Sequence, residues 1–166
     1  MTIKTIQDLF IHELSDIYSA EKQLTKALPR LARAATAPEL KEAFESHLEE
    51  TLGQVERIDQ IVGMLDIRLK RIKCAAMEGL VEEGKEAIDG VAPGPLLDAA
   101  LIGGGNKVEH YEIASYGTLA AMAKQLGYKD AVPLLVATLA EEKAADEKLT
   151  MLAERLSTQK QAEKAA

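Results

Sequence analysis

The chain has 166 residues, a typical length for one domain, and folding such a chain buries about 70% of its unfolded surface. The composition favours helices over sheets, because Ala, Leu, Glu and Lys are frequent while there are two Phe, four Tyr and no Trp. The net charge of −7, with acidic and basic residues interspersed, argues against nucleic acid and anionic membranes as partners.

The single cysteine, Cys74, excludes an internal disulfide and fits a reducing compartment. The N-terminal residues show no signal-peptide pattern, and no stretch reaches the roughly 18 apolar residues of a membrane span. We therefore expect a cytoplasmic protein.

Two long helices are predicted in the first part of the chain, at about 5–35 and 38–65. The first contains apolar residues at spacings of three, four and seven: Phe10, Leu14, Ile17, Leu24, Leu28 and Leu31. Pro38 suits the first turn of the second helix, and Glu39 beside it complements the helix dipole.

A connection at 66–95 follows, with a shorter helix near 72–88 and a turn rich in Gly and Pro at 90–95. A third long helix is predicted at about 96–126, where Gly127 suits the C-terminal cap, and a fourth at about 129–156. Residues 1–156 thus form one domain, and the polar residues 157–166 are expected to be a frayed tail.

The lengths of the connections predict the topology. The tight first and last turns make helices one and two, and helices three and four, antiparallel neighbours. The connection between helices two and three, about 30 residues long, can travel the length of a bundle. We therefore expect an all-α, ferritin-like four-helix bundle with a long crossover that contains an extra short helix.

One glutamate interrupts the apolar stripe of each long helix: Glu21, Glu50, Glu112 and Glu142. Glu21 lies about 15 residues before the first turn and Glu50 about 13 after it, so both reach a similar height at roughly 1.5 Å per residue. The other pair is arranged in the same way around Gly127. The four carboxylates are thus predicted to converge in the core.

Converging carboxylates in a dry core must be neutralised, paired or bound to metal, because each buried unpaired ion costs several kcal/mol. Two divalent cations would balance four carboxylates, as in dinuclear carboxylate bundles. Alternatively, one or more of these side chains turns to the surface or meets Lys or Arg.

Several strings resemble the YciF-type bacterial ferritin-like family over nearly the whole chain. They include Ser19-Ala-Glu-Lys-Gln-Leu24, His47-Leu-Glu-Glu-Thr51 and Val108-Glu-His-Tyr-Glu-Ile-Ala-Ser-Tyr-Gly-Thr-Leu119. The resemblance implies a ferritin-like bundle, often dimeric, that is associated with bacterial stress responses. It also suggests a distant relationship to rubrerythrin-like dinuclear metal proteins, although it does not define an activity.

The chain departs from the usual di-iron pattern, in which His follows the bridging Glu by one helical turn. Gln54 follows Glu50 and Asp146 follows Glu142 instead, and ligation by oxygen alone suits hard cations as well as iron or manganese. His47 and Glu109 each lie three residues before a proposed ligand on the same helix. His47 is a ligand, a hydrogen-bond partner of a ligand, or a partly buried structural histidine. Glu109 is a ligand, or it lies on an exposed face or pairs with Lys.

The leading hypothesis from the sequence is a dinuclear centre of iron, or alternatively manganese. Glu21 and Glu112 would be terminal ligands and Glu50 and Glu142 bridging ones, with Gln54 and Asp146 as weaker supplements. If redox-active, the centre would react with oxygen or peroxide, which is an expectation by analogy alone. Tyr116 could donate a hydrogen bond to a ligand or simply pack in the core. The competing hypothesis is a metal-free structural or interaction bundle without enzymatic activity.

Overall fold

The computed structural model describes residues 2–165, and side chains from residue 2 to residue 156. It contains the helices α1 (Ile6–Ala34), α2 (Pro38–Leu65), α3 (Ala75–Gly90), α4 (Pro95–Gln125) and α5 (Ala131–Ala165). No strand occurs in residues 2–165, and the predicted all-helical class is confirmed. Among the same residues, no helix is both long enough and apolar enough to cross a membrane.

The helix boundaries follow local sequence signals. Thr5 caps α1, because its hydroxyl oxygen accepts a hydrogen bond of 3.0 Å from the backbone N–H of Asp8. Pro38 begins α2, and Pro95 begins α4 after Gly94, whose φ of 127° favours glycine. Gly127, with a φ of 73°, turns the chain between α4 and α5.

The four long helices form a closed ring of contacts. α1 packs against α2 and α4, and α5 packs against the same two helices. The shorter α3 lies over α1 and α4. The interior of the ring is formed by apolar side chains from all four long helices, including Phe10, Leu14, Leu24, Phe44, Ile58, Leu101, Leu119 and Leu135.

The crossover before α3 is attached to a polar stripe on α1 at positions 15, 19 and 23. The hydroxyl oxygens of Ser15 and Ser19 accept hydrogen bonds from the backbone N–H groups of Lys70 (2.9 Å) and Cys74 (3.0 Å). Gln23 donates to the carbonyl oxygen of Cys74 at 3.1 Å. Residues four apart share one helix face, so one face of α1 hydrogen-bonds to the crossover while another face packs in the core.

Asp98, near the start of α4, fixes the turn between α1 and α2. Its buried carboxylate accepts hydrogen bonds from the backbone N–H groups of Thr36 (2.7 Å) and Ala37 (3.0 Å). These donors have no partner within a helix, so the carboxylate replaces the missing side-chain cap of α2. This contact sets the relative heights of the two hairpins.

The predicted boundaries hold for α2 and differ modestly for α1, α3 and α4. The last helix begins at Ala131 and extends to Ala165, well beyond the predicted end near residue 156. The expected frayed tail at 157–166 falls on residues whose side chains lie outside the described part, and it stays a prediction.

Candidate metal centre

Five ionisable side chains from all four long helices lie buried at the middle of the ring. Glu21 comes from α1, His47 from α2, Glu109 and Glu112 from α4, and Glu142 from α5. The three glutamates at 21, 112 and 142 are 0% exposed, Glu109 is 3% exposed and His47 is 6% exposed. Such burial is rare for glutamate unless it is paired or bound to metal.

Four of these residues are close enough to share one cation. His47, Glu109, Glu112 and Glu142 each offer a ligand atom, and these atoms lie within 4.8 Å of one another. His47 Nε2 is 3.3 Å from Glu109 Oε1 and 3.9 Å from Glu142 Oε2. Glu109 and Glu112 are three residues apart on α4, which places both on one helix face.

The cluster leaves many polar atoms without a hydrogen-bond partner. Among the described side chains, eight buried atoms have none. They are Glu21 Oε2, His47 Nε2, Gln54 Oε1, Glu109 Oε2, both carboxylate oxygens of Glu112 and both of Glu142. Native proteins leave few such atoms, and those that remain commonly indicate a missing water or ion. This chemistry therefore fits a bound cation.

Burial and mutual repulsion raise the pKa values of the clustered carboxyl groups. Burial, followed by the charge of Glu142, raises the pKa of Glu21 to about 8. Burial likewise raises the pKa of Glu109 to about 8, and it raises the pKa values of Glu112 and Glu142 well above the ordinary value. Without a cation, the cluster would hold protons at neutral pH.

His47 connects the buried cluster to its exposed edge. Burial alone would lower its pKa, but the hydrogen bond to Glu50 and the charge of Glu142 outweigh it, so the pKa of His47 is raised. The Nδ1 atom is 3.2 Å from Glu50 Oε2, which leaves Nε2 facing Glu109 and Glu142. A metal-binding histidine commonly has this arrangement, in which a carboxylate orients the ring through the other nitrogen.

Tyr116 holds the carboxylate of Glu21. The buried tyrosine lies one helical turn after Glu112, and its hydroxyl donates a short hydrogen bond to Glu21 Oε1. The sequence left two possibilities for Tyr116, packing alone or donation to a proposed ligand. The structure shows the donation, made across the ring to α1.

Two residues proposed from the sequence lie elsewhere than expected, and a third has an additional partner. Glu50 is not in the dry core, because its side chain is 41% exposed and reaches the cluster only through His47. Asp146 turns away and accepts a hydrogen bond of 2.6 Å from Asn106, with His110 at 3.2 Å. Gln54 is buried as expected, but its amide donates to Glu141 at 3.1 Å.

The physical reason is the helical repeat. Positions three or four residues apart lie on the same face of a helix, so the sequence does not show which turn of the stripe supplies the side chain aimed at the centre. On α2 the buried position is taken by His47 instead of Glu50, and on α4 Glu109 joins Glu112.

An ion pair beside the cluster was not predicted from the sequence. Arg57 on α2 donates to both carboxylate oxygens of Glu141 on α5 at 2.6 Å, and it donates to Thr138 at 3.1 Å. Burial is the largest single influence on Glu141 and opposes its ionisation, but the hydrogen bonds from Arg57 and Gln54 and the charge of Arg57 together outweigh it, so the pKa of Glu141 is lowered. Arg57 stands between Glu56 and Ile58, with Asp59 next, so no local pattern indicated this pair. Arg57 thus pairs with Glu141 and is not available to the central carboxylates, two of which lie beside His47 instead.

Comparison with known proteins places these residues in a family. The profile described as "Domain of unknown function (DUF892)" matches residues 5–162. The protein YciF of Escherichia coli (strain K12) is 60% identical over 154 residues, which is 92% of this chain and 93% of that protein. The resemblance to YciF-type proteins inferred from the sequence is confirmed.

Solved structures show the same fold. The crystal structure of the E. coli stress protein YciF superposes with a TM-score of 0.92 at 58% identity, over 94% of this chain and 99% of that one. YcfI, a proposed structural protein from Rhodopseudomonas palustris, has a TM-score of 0.86 at 47% identity, over 89% and 94% of the two chains. A protein from Xanthomonas campestris pv. campestris shares the fold alone, with a TM-score of 0.73 at 21% identity over 98% and 100%.

Proposed function

The chain belongs to the DUF892 family, and we propose that it is a ferritin-like protein whose buried carboxylates bind two divalent metal ions. The ring of four long helices with one long crossover supports the ferritin-like assignment. In such bundles, inward-facing carboxylate and histidine side chains from facing helices hold the metal.

One observation carries the proposal: among the described side chains, the buried polar atoms without a hydrogen-bond partner all belong to Glu21, Glu109, Glu112, Glu142, or to His47 and Gln54 beside them. A buried charge without a partner costs several kcal/mol, and Arg57, which lies beside the cluster, is already paired with Glu141. A metal ion would satisfy these oxygens and His47 Nε2 together.

Charge balance favours two ions over one. The cluster and its edge contain five carboxylates: Glu21, Glu50, Glu109, Glu112 and Glu142. One divalent ion would leave three negative charges uncompensated, whereas two leave one, at the exposed Glu50. His47, Glu109, Glu112 and Glu142 would hold the first ion. Glu21 Oε2 and Gln54 Oε1 are buried oxygens without a hydrogen-bond partner, and they are the proposed ligands of the second ion.

The donor set favours iron or manganese. Carboxylate oxygens suit hard cations, and one imidazole adds preference for a first-row transition metal. Such ions would supply Lewis acidity and, if redox-active, electrons for oxygen or peroxide. The protein's own contribution is positional: Tyr116 orients Glu21, Glu50 orients His47, and the apolar ring excludes bulk water.

The cellular context is proposed from relatives. E. coli YciF is described as a stress protein, and we propose a related role in the cytoplasm for this chain, as a homodimer without nucleic-acid or membrane partners. The acidic net charge of −7 supports the last point.

The second candidate function is a metal-free scaffold, favoured by the description of YcfI as a proposed structural protein. In that case the carboxyl groups would remain protonated near neutral pH, as their raised pKa values allow. Removing them would then cost nothing and could stabilise the core.

Metal titration of protein purified without chelator distinguishes the two functions. We expect the wild-type chain to bind about two Mn²⁺ or Fe²⁺ ions under anaerobic conditions. Glu112→Gln keeps the shape of the side chain but removes its charge, and it should weaken binding of at least one ion by roughly tenfold or more. The matched control is Glu49→Gln, because Glu49 is exposed on α2.

Circular dichroism confirms that each variant is folded. The metal-centre proposal fails if the wild-type chain binds no ion, or if Glu112→Gln and Glu49→Gln bind equally well. The scaffold proposal fails if substitution of Glu112 and Glu142 by Leu destabilises the protein only in the presence of metal.

A further inference from the structure

A groove separate from the carboxylate cluster lies between α3 and the pair α1 and α4. Its volume is about 440 Å³, within the range of small-molecule sites in proteins. Its walls are mainly apolar, formed by Leu24, Leu31, Leu80, Ile88, Leu101 and Val108. Leu31, Leu80 and Ile88 are only partly buried, so the groove keeps apolar surface in contact with solvent.

The groove exists because small residues face each other where α3 crosses the bundle. Ala27 on α1 and Gly104 on α4 both line it. A Cβ atom added to Gly104 would meet nothing within 4 Å. On α3, Met77 is the one fully buried residue, whereas Leu80, Val81 and Ile88 pack against the core and are only partly buried. Well-packed interiors do not leave a space of this size under a helix, and apolar walls hold water poorly.

Cationic side chains surround this apolar space in a protein of net charge −7. Lys26, Arg30, Lys85 and Lys107 line the groove together with a single acid, Glu83. Two of them bridge to α3 at exposed positions, Lys107 to Glu83 at 2.6 Å and Arg30 to Asp89 at 3.4 Å. Exposed pairs of this kind are weak and exchange readily with another anion. Lys26 forms no ion pair with any described residue.

We infer that this groove binds an amphipathic anion, a small molecule with an apolar chain and one carboxylate end. The apolar chain would lie along Leu24, Leu101 and Val108, and the carboxylate would reach Lys26 and Lys107 at the rim. The groove's limited volume and its cationic rim select a single amphiphile. This inference goes beyond the proposed metal function and does not depend on it, because no groove residue is a proposed ligand.

The first test measures binding of dodecanoate by native mass spectrometry, which identifies the bound molecule by its mass, and by calorimetry. We expect one dodecanoate per chain in the wild type. Gly104→Leu should weaken binding by about tenfold or more, because the new side chain fills the groove without a clash. Gly117→Leu on the same helix is the matched control, since a Cβ there also meets nothing within 4 Å but Gly117 does not line the groove.

The second test separates charge from apolar burial. Lys26→Glu combined with Lys107→Glu should weaken dodecanoate binding by roughly fivefold while leaving the affinity for dodecanol unchanged. The same measurements on Glu112→Gln should match the wild type, so that failure of the metal proposal leaves this result intact. Absence of dodecanoate binding, or equal affinity of Gly104→Leu and Gly117→Leu, would overturn the inference. Binding of dodecanol as tight as that of dodecanoate would overturn the role of the cations. A chain that binds no dodecanoate, and whose dimer is weakened by Gly104→Leu but not by Gly117→Leu, would assign the groove to self-association instead.

Discussion

Neither carboxylate oxygen of Glu112 has a hydrogen-bond partner, although the residue is 0% exposed. In water the same oxygens would accept several hydrogen bonds, so the folded protein has given up that hydration without a visible replacement. Both carboxylate oxygens of Glu142 likewise have no hydrogen-bond partner. Because the charged form loses this hydration, burial raises the pKa values of Glu112 and Glu142 and favours their protonated forms.

These shifts predict how the stability of the metal-free protein depends on pH. The carboxyl groups of Glu21 and Glu109 have a pKa near 4.5 when unfolded and about 8 when folded, so the folded state binds more protons between those values. Its free energy of unfolding should therefore fall as pH rises through this window, by on the order of 1 kcal/mol per pH unit for each group. Urea unfolding between pH 5 and pH 8.5 would measure it. A flat profile, or stability that rises with pH, would contradict the arrangement of buried carboxyl groups.

Tyr116 supplies a prediction about positioning. Tyr116→Phe removes the hydroxyl that donates to Glu21 and leaves that carboxylate without its buried donor. Because this hydrogen bond lowers the pKa of Glu21 against the larger effect of burial, we expect metal affinity to fall by about 10–100-fold. A competition titration with a metal indicator measures the change. Tyr18→Phe is the control, since Tyr18 lies outside the cluster; equal affinities for the two variants would exclude the positioning role.

At the residue scale the sequence predicted part of the cluster. Glu21, Glu112 and Glu142 could be found because each replaces an apolar residue at a helical spacing within a stripe. The roles of His47 and Glu109 could only be offered as alternatives, because the spacing of three fits both a buried and an exposed position. The true partners of Asp146 and Glu141 lie on other helices, and no local pattern specifies a contact between α2 and α5 or between α4 and α5.

At the scale of elements, α4 contains the sharpest conflict between propensity and packing. It carries Gly103, Gly104 and Gly105 in its interior, where each glycine costs about 1 kcal/mol relative to alanine. Gly105 faces α5, and a Cβ there would lie 2.7 Å from Leu149 Cδ1. Close approach of α4 and α5 explains this glycine, whereas Gly104 faces the open groove.

The two neighbouring glycines should therefore respond differently to alanine. Gly104→Ala should raise the free energy of unfolding by up to about 1 kcal/mol, because the helix gains propensity and the Cβ meets no atom. Gly105→Ala should gain less or lose stability, since Leu149 must move to admit the methyl group. Thermal or chemical unfolding of the two variants measures the difference. Equal stabilisation at both positions would show that α4 and α5 are not in close contact at Gly105.

The existence and order of the helices could be predicted from sequence, because periodicity, proline and glycine act within a few residues. The attachment of the crossover to Ser15, Ser19 and Gln23 could not, because its hydrogen bonds join residues more than 50 positions apart. The extent of α5 was underestimated because the polar residues after Leu156 lack an apolar stripe, although such residues have adequate helix propensity.

At the scale of the whole molecule, the fold brings one or two acidic residues from each of three helices, and a histidine from the fourth, to the same depth. The single crossover places α1 and α4 side by side, and Asp98 ties the α1–α2 turn to α4. The hairpins are thus held in register, and the ligands meet without help from any loop. The family profile matches residues 5–162 and so includes residues of all four long helices.

We propose that cations occupy the space between these carboxylates. The sharpest test is an anomalous difference map from crystals of this protein grown with Mn²⁺. We expect two peaks in the core, one of them in contact with His47, Glu109, Glu112 and Glu142. A core without a peak, in crystals where those four side chains remain buried and ordered, would contradict it.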